Sequence, residues 1–577
     1  MRGMETPSLT KLRPELLREQ VIGIDSPIRT PFGERLLVYC DYTASGRSLH
    51  FVERYLHGLL QTYANTHTED DVTGRGTSQL LHEAEVMIKR SVNAGPHGRL
   101  IACGAGATGA IDRLQQILGV ACPPATRARI KTELTRCVGE ERADAFESHL
   151  QSHQPVVFVG PYEHHSNEVS WRQGLATVVT VDLREDGSVD LEHLQALLND
   201  DAYLGRPRIG AFSAASNVTG MITPVHEIAS LLHRHDAIAC FDYAASAPYV
   251  EIDMNPGGDD WLDAVMLSPH KFIGGPGSSG ILVFNERLYR SDLPPSIAGG
   301  GTVDYVSPTD QDFTADIEIR EKAGTPGILQ TLRAALAYEI KAAVGLQEIE
   351  SREQRVLERA FTKWTDEEGV EILGNRDPQR RLAIVSFNVR DPRGGYLHPK
   401  FVTALLNDLF GIQSRAGCAC AGPYGHRLLG IDEATSEQFR AWVRKGYHGI
   451  KPGWCRIGFH YTMDDVDADF VIEAVRFVAA HGHRFLPLYG FDPLSGAWQH
   501  WQATAQSTSL SLAAAVSSAD VVQTALSSAD RSAHFAEYLA EASKLAARLG
   551  EPTPNTAPAR EGLFGELQYF SIEAPGR

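Results

Sequence analysis

Cysteine is scarce, with eight in 577 residues. That is too thin for a disulfide scaffold. The one cluster, Cys418-Ala419-Cys420, has no second pair at metal-ligand spacing. Long apolar runs are missing too. No stretch of about 18 apolar residues occurs, so no membrane-spanning helix is expected. Positive charge is in deficit: 54 Lys and Arg stand against 72 Asp and Glu, a net −18. This excess of acid argues against general affinity for nucleic acid or an anionic membrane surface. The opening Met1-Arg2-Gly3-Met4-Glu5-Thr6-Pro7 lacks the apolar core of a secretion signal. No internal repeat is visible. These absences together lead us to expect a reducing, cytoplasmic compartment.

What is present is ordinary for a folded chain: 43% apolar and 22% charged residues. The length suffices for two or more domains. Short apolar runs at Arg99–Cys103, Val156–Val159, Thr177–Val181, Arg208–Phe212 and Ile238–Phe241 read as strands. Helical spacing at Thr77–Val92, from Ala110, at Leu191–Leu198 and at Val225–His235 separates them. Strands alternating with helices predict an α/β fold with a large, mostly parallel sheet. Residues 1–35 read as an N-terminal arm and 36–326 as the large domain. Within it a charged helical insertion is expected over 124–150. Residues 327–485 read as a linker helix and a smaller α/β C-terminal domain, with strands at Leu382–Val389 and Trp454–Phe459. The rest, 486–577, reads as an accessory tail. It is Ser/Ala/Gln-rich over Gly496–Val522, with an extra helix at Arg531–Leu549.

The chemistry centres on Lys271, in Ser268-Pro269-His270-Lys271 ahead of a glycine-rich stretch. Twenty-nine residues earlier a strand delivers Asp242. A lysine amine and an acid so placed suit pyridoxal phosphate (PLP). The lysine holds the aldehyde, and the acid keeps the ring nitrogen protonated so that the ring accepts electrons. Taken alone, Lys271 reads as a surface lysine; the other pieces, in order, outweigh that. Gly104-Ala105-Gly106-Ala107-Thr108-Gly109 lies between strand and helix, where backbone N–H groups and the Thr108 hydroxyl can meet a phosphate. By itself it reads equally as a tight connection. His164 follows the strand Val156–Val159 and can stack on a ring. Asn217 follows Arg208–Phe212, where spacing alone suggests only a turn. Arg415 and Arg456 suit bidentate capture of a carboxylate. Cys420, on a loop of small residues, is either a reactive thiol or a small filler.

The order of these motifs resembles the class V aminotransferase family of PLP enzymes, and within it the cysteine desulfurases and selenocysteine lyases. The resemblance spans roughly residues 36–485. It rests on Asp41-Tyr42-Thr43-Ala44-Ser45, Asn65-Thr66-His67, Glu163-His164-His165-Ser166-Asn167 with Trp171, Ser216-Asn217-Val218-Thr219-Gly220, Ser268-Pro269-His270-Lys271 and Ala323-Gly324-Thr325-Pro326. It implies PLP fold type I. It also implies that Ala107, Thr108, Ser268 and His270 hold the phosphate, that His164 stacks on the ring and that Asn217 lies near the ring oxygen and substrate. Asp242 would pair with the ring nitrogen and Lys271 would carry the cofactor. Thr325 would reach the phosphate of the other subunit of a homodimer. Arg456, supported by Arg415, would bind the carboxylate of a small amino-acid substrate. Cys420 would form the persulfide, to be passed to a sulfur-acceptor protein, with Cys418 a passive neighbour.

Two departures stand out. The family usually has Gln where this chain has Ala245, and His-His where it has Cys418-Ala419. The expected activity is desulfuration of L-cysteine to alanine. The alternatives are another class V reaction (selenocysteine lyase, aminotransferase, epimerase or C–S lyase), or a non-catalytic scaffold of the same fold.

Overall fold

The computed structural model describes residues 11–66, 68–365, 369–417, 420–502, 526–550 and 567–570. His67 of the Asn65-Thr66-His67 motif, Cys418 and most of the Ser/Ala/Gln-rich stretch lie outside them. The chain divides into two compact units. One comprises residues 1–12 and 43–350; the other comprises 13–42 and 351–577.

The first unit is built on seven strands: β1 (Gly98–Ala102), β2 (Val156–Val159), β3 (Thr177–Thr180), β4 (Arg208–Ser213), β5 (Ile238–Asp242), β6 (Ala264–Leu267) and β7 (Ile281–Asn285). Their order in the sheet is β1-β7-β6-β5-β4-β2-β3. The run β6-β5-β4-β2-β3 is parallel, and β7 lies antiparallel to both neighbours. All four residues of β2 are buried, and so are all four of β6. Such unbroken apolar runs are what a sheet covered on both faces requires.

The helices follow from local signals. α1 (Val72–Ser91) starts five residues before the apolar periodicity, because Asp71 accepts the Gly74 N–H at 2.7 Å and caps it. α2 (Ala107–Ile117) buries Ala107, Ala110, Ile111 and Leu114, spaced i, i+3, i+4, i+7, against a core that includes Val157, Val159, Ala211 and Met266. Truncating Leu114 to Ala there would cost about 2–5 kcal/mol. The insertion forms a hairpin of two helices, α3 (Pro124–Val138) and α4 (Glu140–His153), joined at Gly139 with φ +82°. The long pattern from Gly327 is two helices, α5 (Ile328–Val344) and Leu346–Thr365. Gly345, at φ +89°, breaks it.

The second unit carries an antiparallel sheet of β8 (Val370–Ile372), β9 (Ile384–Val389), β10 (Arg415–Gly417) and β11 (Trp454–Gly458), in the order β8-β9-β11-β10. The apolar run Leu36–Tyr42 is not one strand. Gly33–Leu36 pairs with Pro27–Thr30, and Val38–Tyr39 pairs in parallel with Ile412–Gln413. That pairing draws residues 13–42 into this unit. Helices α6 (Pro399–Phe410), α7 (Asp465–His481) and α8 (Ser528–Leu549) pack together. The tail helix α8 is seated by a buried stripe, Phe535, Tyr538, Ala542 and Ala546. Phe535 stacks on Phe470 with ring centroids 3.9 Å apart.

Candidate active site

Parallel strands point their C-terminal ends the same way, and in open α/β sheets ligands bind outside those ends. Here the loops after β2, β4, β5 and β6, with the first turn of α2, line a pocket of about 200 Å³. It brings together Ala107, Thr108, His164, Asn217, Asp242, Ser268, His270 and Lys271. Eight residues expected from the sequence thus share one cavity.

Asp242 is the last residue of β5 and sits opposite Ser213 of β4. Burial raises its pKa. The Ala244 N–H, bonded at 2.8 Å, and the charge of Lys271 act in the other direction and favour the carboxylate. Lys271 ends a short 3-10 turn, Pro269–Lys271, directly after β6. Its neighbour His270 is pushed down to about 4 by burial and by the Lys271 charge, so it is neutral at pH 7. The turn is clamped from behind, where Gly46 donates its N–H to the His270 carbonyl at 2.9 Å. A Cβ on Gly46 would stand 1.9 Å from the Phe272 oxygen, so backbone lies on backbone and only glycine fits.

Opposite, the Ala107 N–H donates to Ser268 Oγ at 2.8 Å, and the Thr108 and Ser166 hydroxyls bond at 2.7 Å. A Cβ on Gly106 would come within 3.2 Å of Ser268 Oγ and 3.3 Å of His270 Nε2. Glycine therefore keeps the cradle between the first turn of α2 and the Ser268 turn open. These residues fit PLP: N–H and hydroxyl donors at a helix start for the phosphate, a buried carboxylate for the ring nitrogen, and an amine for the aldehyde. Ala245 lines the same pocket without a hydrogen-bonding side chain.

Glu163 stands in the Glu163-His164-His165-Ser166-Asn167 motif, but the resemblance implies no task for it. Its fully buried carboxylate accepts four hydrogen bonds: Ser213 N–H (2.7 Å), Ser213 Oγ (2.6 Å), Asn167 Nδ2 (2.7 Å) and Gly160 N–H (3.2 Å). Asn167 in turn accepts the Trp171 indole N–H at 3.1 Å. This chain ties the His164 loop to the end of β4. Burial pushes Glu163 up to about 7, with Asp242 adding to the shift. His164 Nδ1 accepts the Ser166 N–H at 3.1 Å.

The remaining expected residues are not among those that line this pocket. Thr325 is exposed, and its hydroxyl accepts from Asn65 Nδ2 at 3.0 Å. In the second unit β10 and β11 set Arg415 directly opposite Arg456. Both reach Asp41: Arg456 Nη2 to Oδ1 at 2.9 Å and Arg415 Nε to Oδ2 at 3.1 Å. Arg456 is buried, and burial draws its pKa down while Asp41 holds it up. Cys420 follows this strand pair, exposed, at φ +58°. That left-handed backbone is uncommon for a residue with a Cβ.

Among the described residues no group of three or more His, Cys, Asp or Glu is disposed to hold a metal ion. Among them also, no helix is long and apolar enough to cross a membrane.

A protein of Halalkalibacterium halodurans named "Probable cysteine desulfurase" is 32% identical over 271 residues, 46% of this chain and 62% of that one. One of Staphylococcus epidermidis with the same name is 31% identical over 293 residues, 50% of this chain and 66% of its own. The chain thus spans just under two thirds of these relatives. The apo structure of a cysteine desulfurase from Thermococcus onnurineus NA1 superposes with a TM-score of 0.62, covering 83% of this chain and 100% of that one. At 21% identity it speaks for the fold alone. The Aminotransferase class-V family matches residues 143–471, more than half of the sequence, and the chain belongs to that family.

Proposed function

We propose that the protein is a PLP-dependent cysteine desulfurase, which takes sulfur from L-cysteine through a persulfide on Cys420 and releases alanine. One arrangement supports this most: the Lys271 amine and the buried Asp242 carboxylate line a single pocket with His164. The relatives' names and the exposed Cys420 point the same way. Ala107, Thr108, Ser268 and His270 would hold the phosphate, Asp242 the ring nitrogen, His164 the ring face, Asn217 the ring oxygen, and Lys271 the aldehyde carbon. Bound there, PLP supplies an electron sink for the substrate's α-carbon.

The protein's own groups do the rest. Lys271 Nζ moves the α-proton. Arg456, backed by Arg415, takes the substrate carboxylate. The Cys420 thiolate attacks the substrate sulfur; an S–S bond forms as the substrate's Cβ–S bond breaks. The electron pair stays with the carbon, which gains a proton and becomes the methyl group of alanine. A sulfur-acceptor protein then removes the persulfide. Thr325 belongs to this reading as a residue lent across a homodimer, and the cytoplasm as its compartment.

The test is sulfane sulfur release from cysteine. Lys271→Ala should lose the borohydride-trappable cofactor link and nearly all turnover. Cys420→Ser should keep the cofactor spectrum yet release no sulfane sulfur. Cys420→Ser working at the wild-type rate would overturn the persulfide route. It would favour the second reading, another class V reaction, for which the apolar Ala245 in the pocket wall already speaks.

A further inference from the structure

We propose that the helical hairpin of residues 124–153 is a self-association surface, and that it packs on the same hairpin of a second copy of this chain as a four-helix bundle. The hairpin is a bare element. α3 has 15 residues and buries none of them; α4 has 14 and buries only Ala143. Helices of this length are marginal in water unless an apolar face is covered. The hairpin's apolar residues recur at helical spacing: Ile130, Leu134, Cys137 and Val138 on α3, and Ala143, Phe146 and Leu150 on α4. Leu134 and Leu150 are half-buried. Ile130 and Phe146 remain 56% and 48% exposed. A two-helix seam closes on one side only, and a bundle core needs a second pair of helices.

Charge identifies the occupant. α3 carries Arg127, Arg129, Lys131 and Arg136 against a single acid, Glu133. α4 is the reverse, with Glu140, Glu141, Asp144 and Glu147 against Arg142. Within the hairpin the two signs already meet, Lys131 Nζ lying 2.8 Å from Glu147 Oε2. A two-fold axis running along the hairpin sets the basic helix of one copy over the acidic helix of the other, twice. The axis across the hairpin would set like over like. The surface is therefore complementary to itself in one orientation, with Ile130 and Phe146 turned into the new core. Cysteine turnover is assigned to residues outside the hairpin, so the proposal stands or falls apart from the catalytic reading.

Light scattering on the full chain tests it. The wild type is expected above the mass of the homodimer, and Phe146→Asp, Ile130→Asp and a chain whose residues 124–153 are replaced by a short Gly/Ser linker at the homodimer mass. Turnover and circular dichroism of the two point variants should match the wild type. High salt should shift the wild type toward the smaller species, because the paired charges are screened. Equal mass for the wild type and the linker variant overturns the proposal, whatever the point variants do.

Discussion

Asp41 accepts a hydrogen bond from Arg456 Nη2 at 2.9 Å, joining residues 415 positions apart in the sequence. Its other oxygen takes Arg415 at 3.1 Å. One carboxylate thus fixes two guanidinium groups, one buried and one half-exposed. Removing one partner of a buried ion pair costs about 3–5 kcal/mol, much of it from stranding the other charge. Asp41→Asn keeps the shape and should lose somewhat less, about 2–3 kcal/mol, in urea denaturation. It should also raise KM for the amino-acid substrate while leaving the cofactor spectrum unchanged. Unaltered stability and KM would remove Asp41 from any part in holding Arg456.

Arg456→Ala carries a different signature. The loss of a charge-assisted, bidentate carboxylate contact is about 2–3 kcal/mol, roughly 30- to 150-fold in kcat/KM. Cofactor retention should stay near wild type. Release of PLP with substrate affinity intact would assign the carboxylate to another residue, and Arg415 would be next.

Glu163→Gln tests the polar chain behind His164. The amide substitutes a donor for an acceptor that faces Ser213 and Asn167. The expected loss is about 1–3 kcal/mol, with faster cofactor release in dilution experiments. A variant as stable as the wild type that keeps its cofactor equally well would leave the His164 loop anchored by other means.

The tail can be tested through Arg531. It is 2% exposed and faces Asp25 at 3.6 Å, Asp467 at 3.4 Å and Asp464 in closer contact. Arg18 shares two of these acids, with Asp25 at 2.7 Å and Asp467 at 2.8 Å. Arg531→Ala should destabilise the protein by about 3 kcal/mol or more and expose α8 to limited proteolysis. Arg531→Met, which keeps the packing volume, still deprives Asp464 of its guanidinium while Arg18 holds Asp25 and Asp467, and should recover only part of the loss. An alanine variant with wild-type stability and protection would show that α8 needs no such anchor.

Glu353 gives a pH test. It is buried, and the hydrogen bond it accepts, from the Ala383 N–H, is long at 3.4 Å. Burial pushes it up to about 8 from 4.5. An acid raised on folding keeps its proton longer in the folded chain, so its contribution to stability falls as pH rises from about 4.5 to about 8. Glu353→Gln removes this slope. The variant should gain on the wild type in urea midpoint between pH 5 and pH 9. A constant difference across that range would show that Glu353 does not titrate with folding.

Much of this was legible in advance where the signal is local. Val156–Val159 and Leu191–Leu198 have the bounds that their residue pattern suggests. The motifs around His164, Asn217, Asp242 and Lys271 converge on one pocket because each follows a strand of the same parallel sheet. What escaped is long-range or short. The strands β6 and β7 were not separated from the glycine-rich stretch around Lys271, since four or five apolar residues carry little period of their own. Nothing local says that Asp41 meets Arg415 and Arg456, or that Arg531 shares acids with Arg18. The Glu163 bonds depend on Ser213, fifty residues away. Asp71 as a helix cap was readable from residue type and was missed.

The single reversed strand of the large sheet sets a timetable for biosynthesis. β1, which leads into α2 and so into Ala107 and Thr108, touches the sheet only through β7. A nascent chain that has not yet released Ile281–Asn285 from the ribosome has no neighbour for Gly98–Ala102. The strand ahead of Ala107 and Thr108 is therefore encoded first but gains its sheet neighbour only after the strand that delivers Lys271 has emerged. The large sheet is completed late in synthesis, by a segment that contributes no group to the pocket lining.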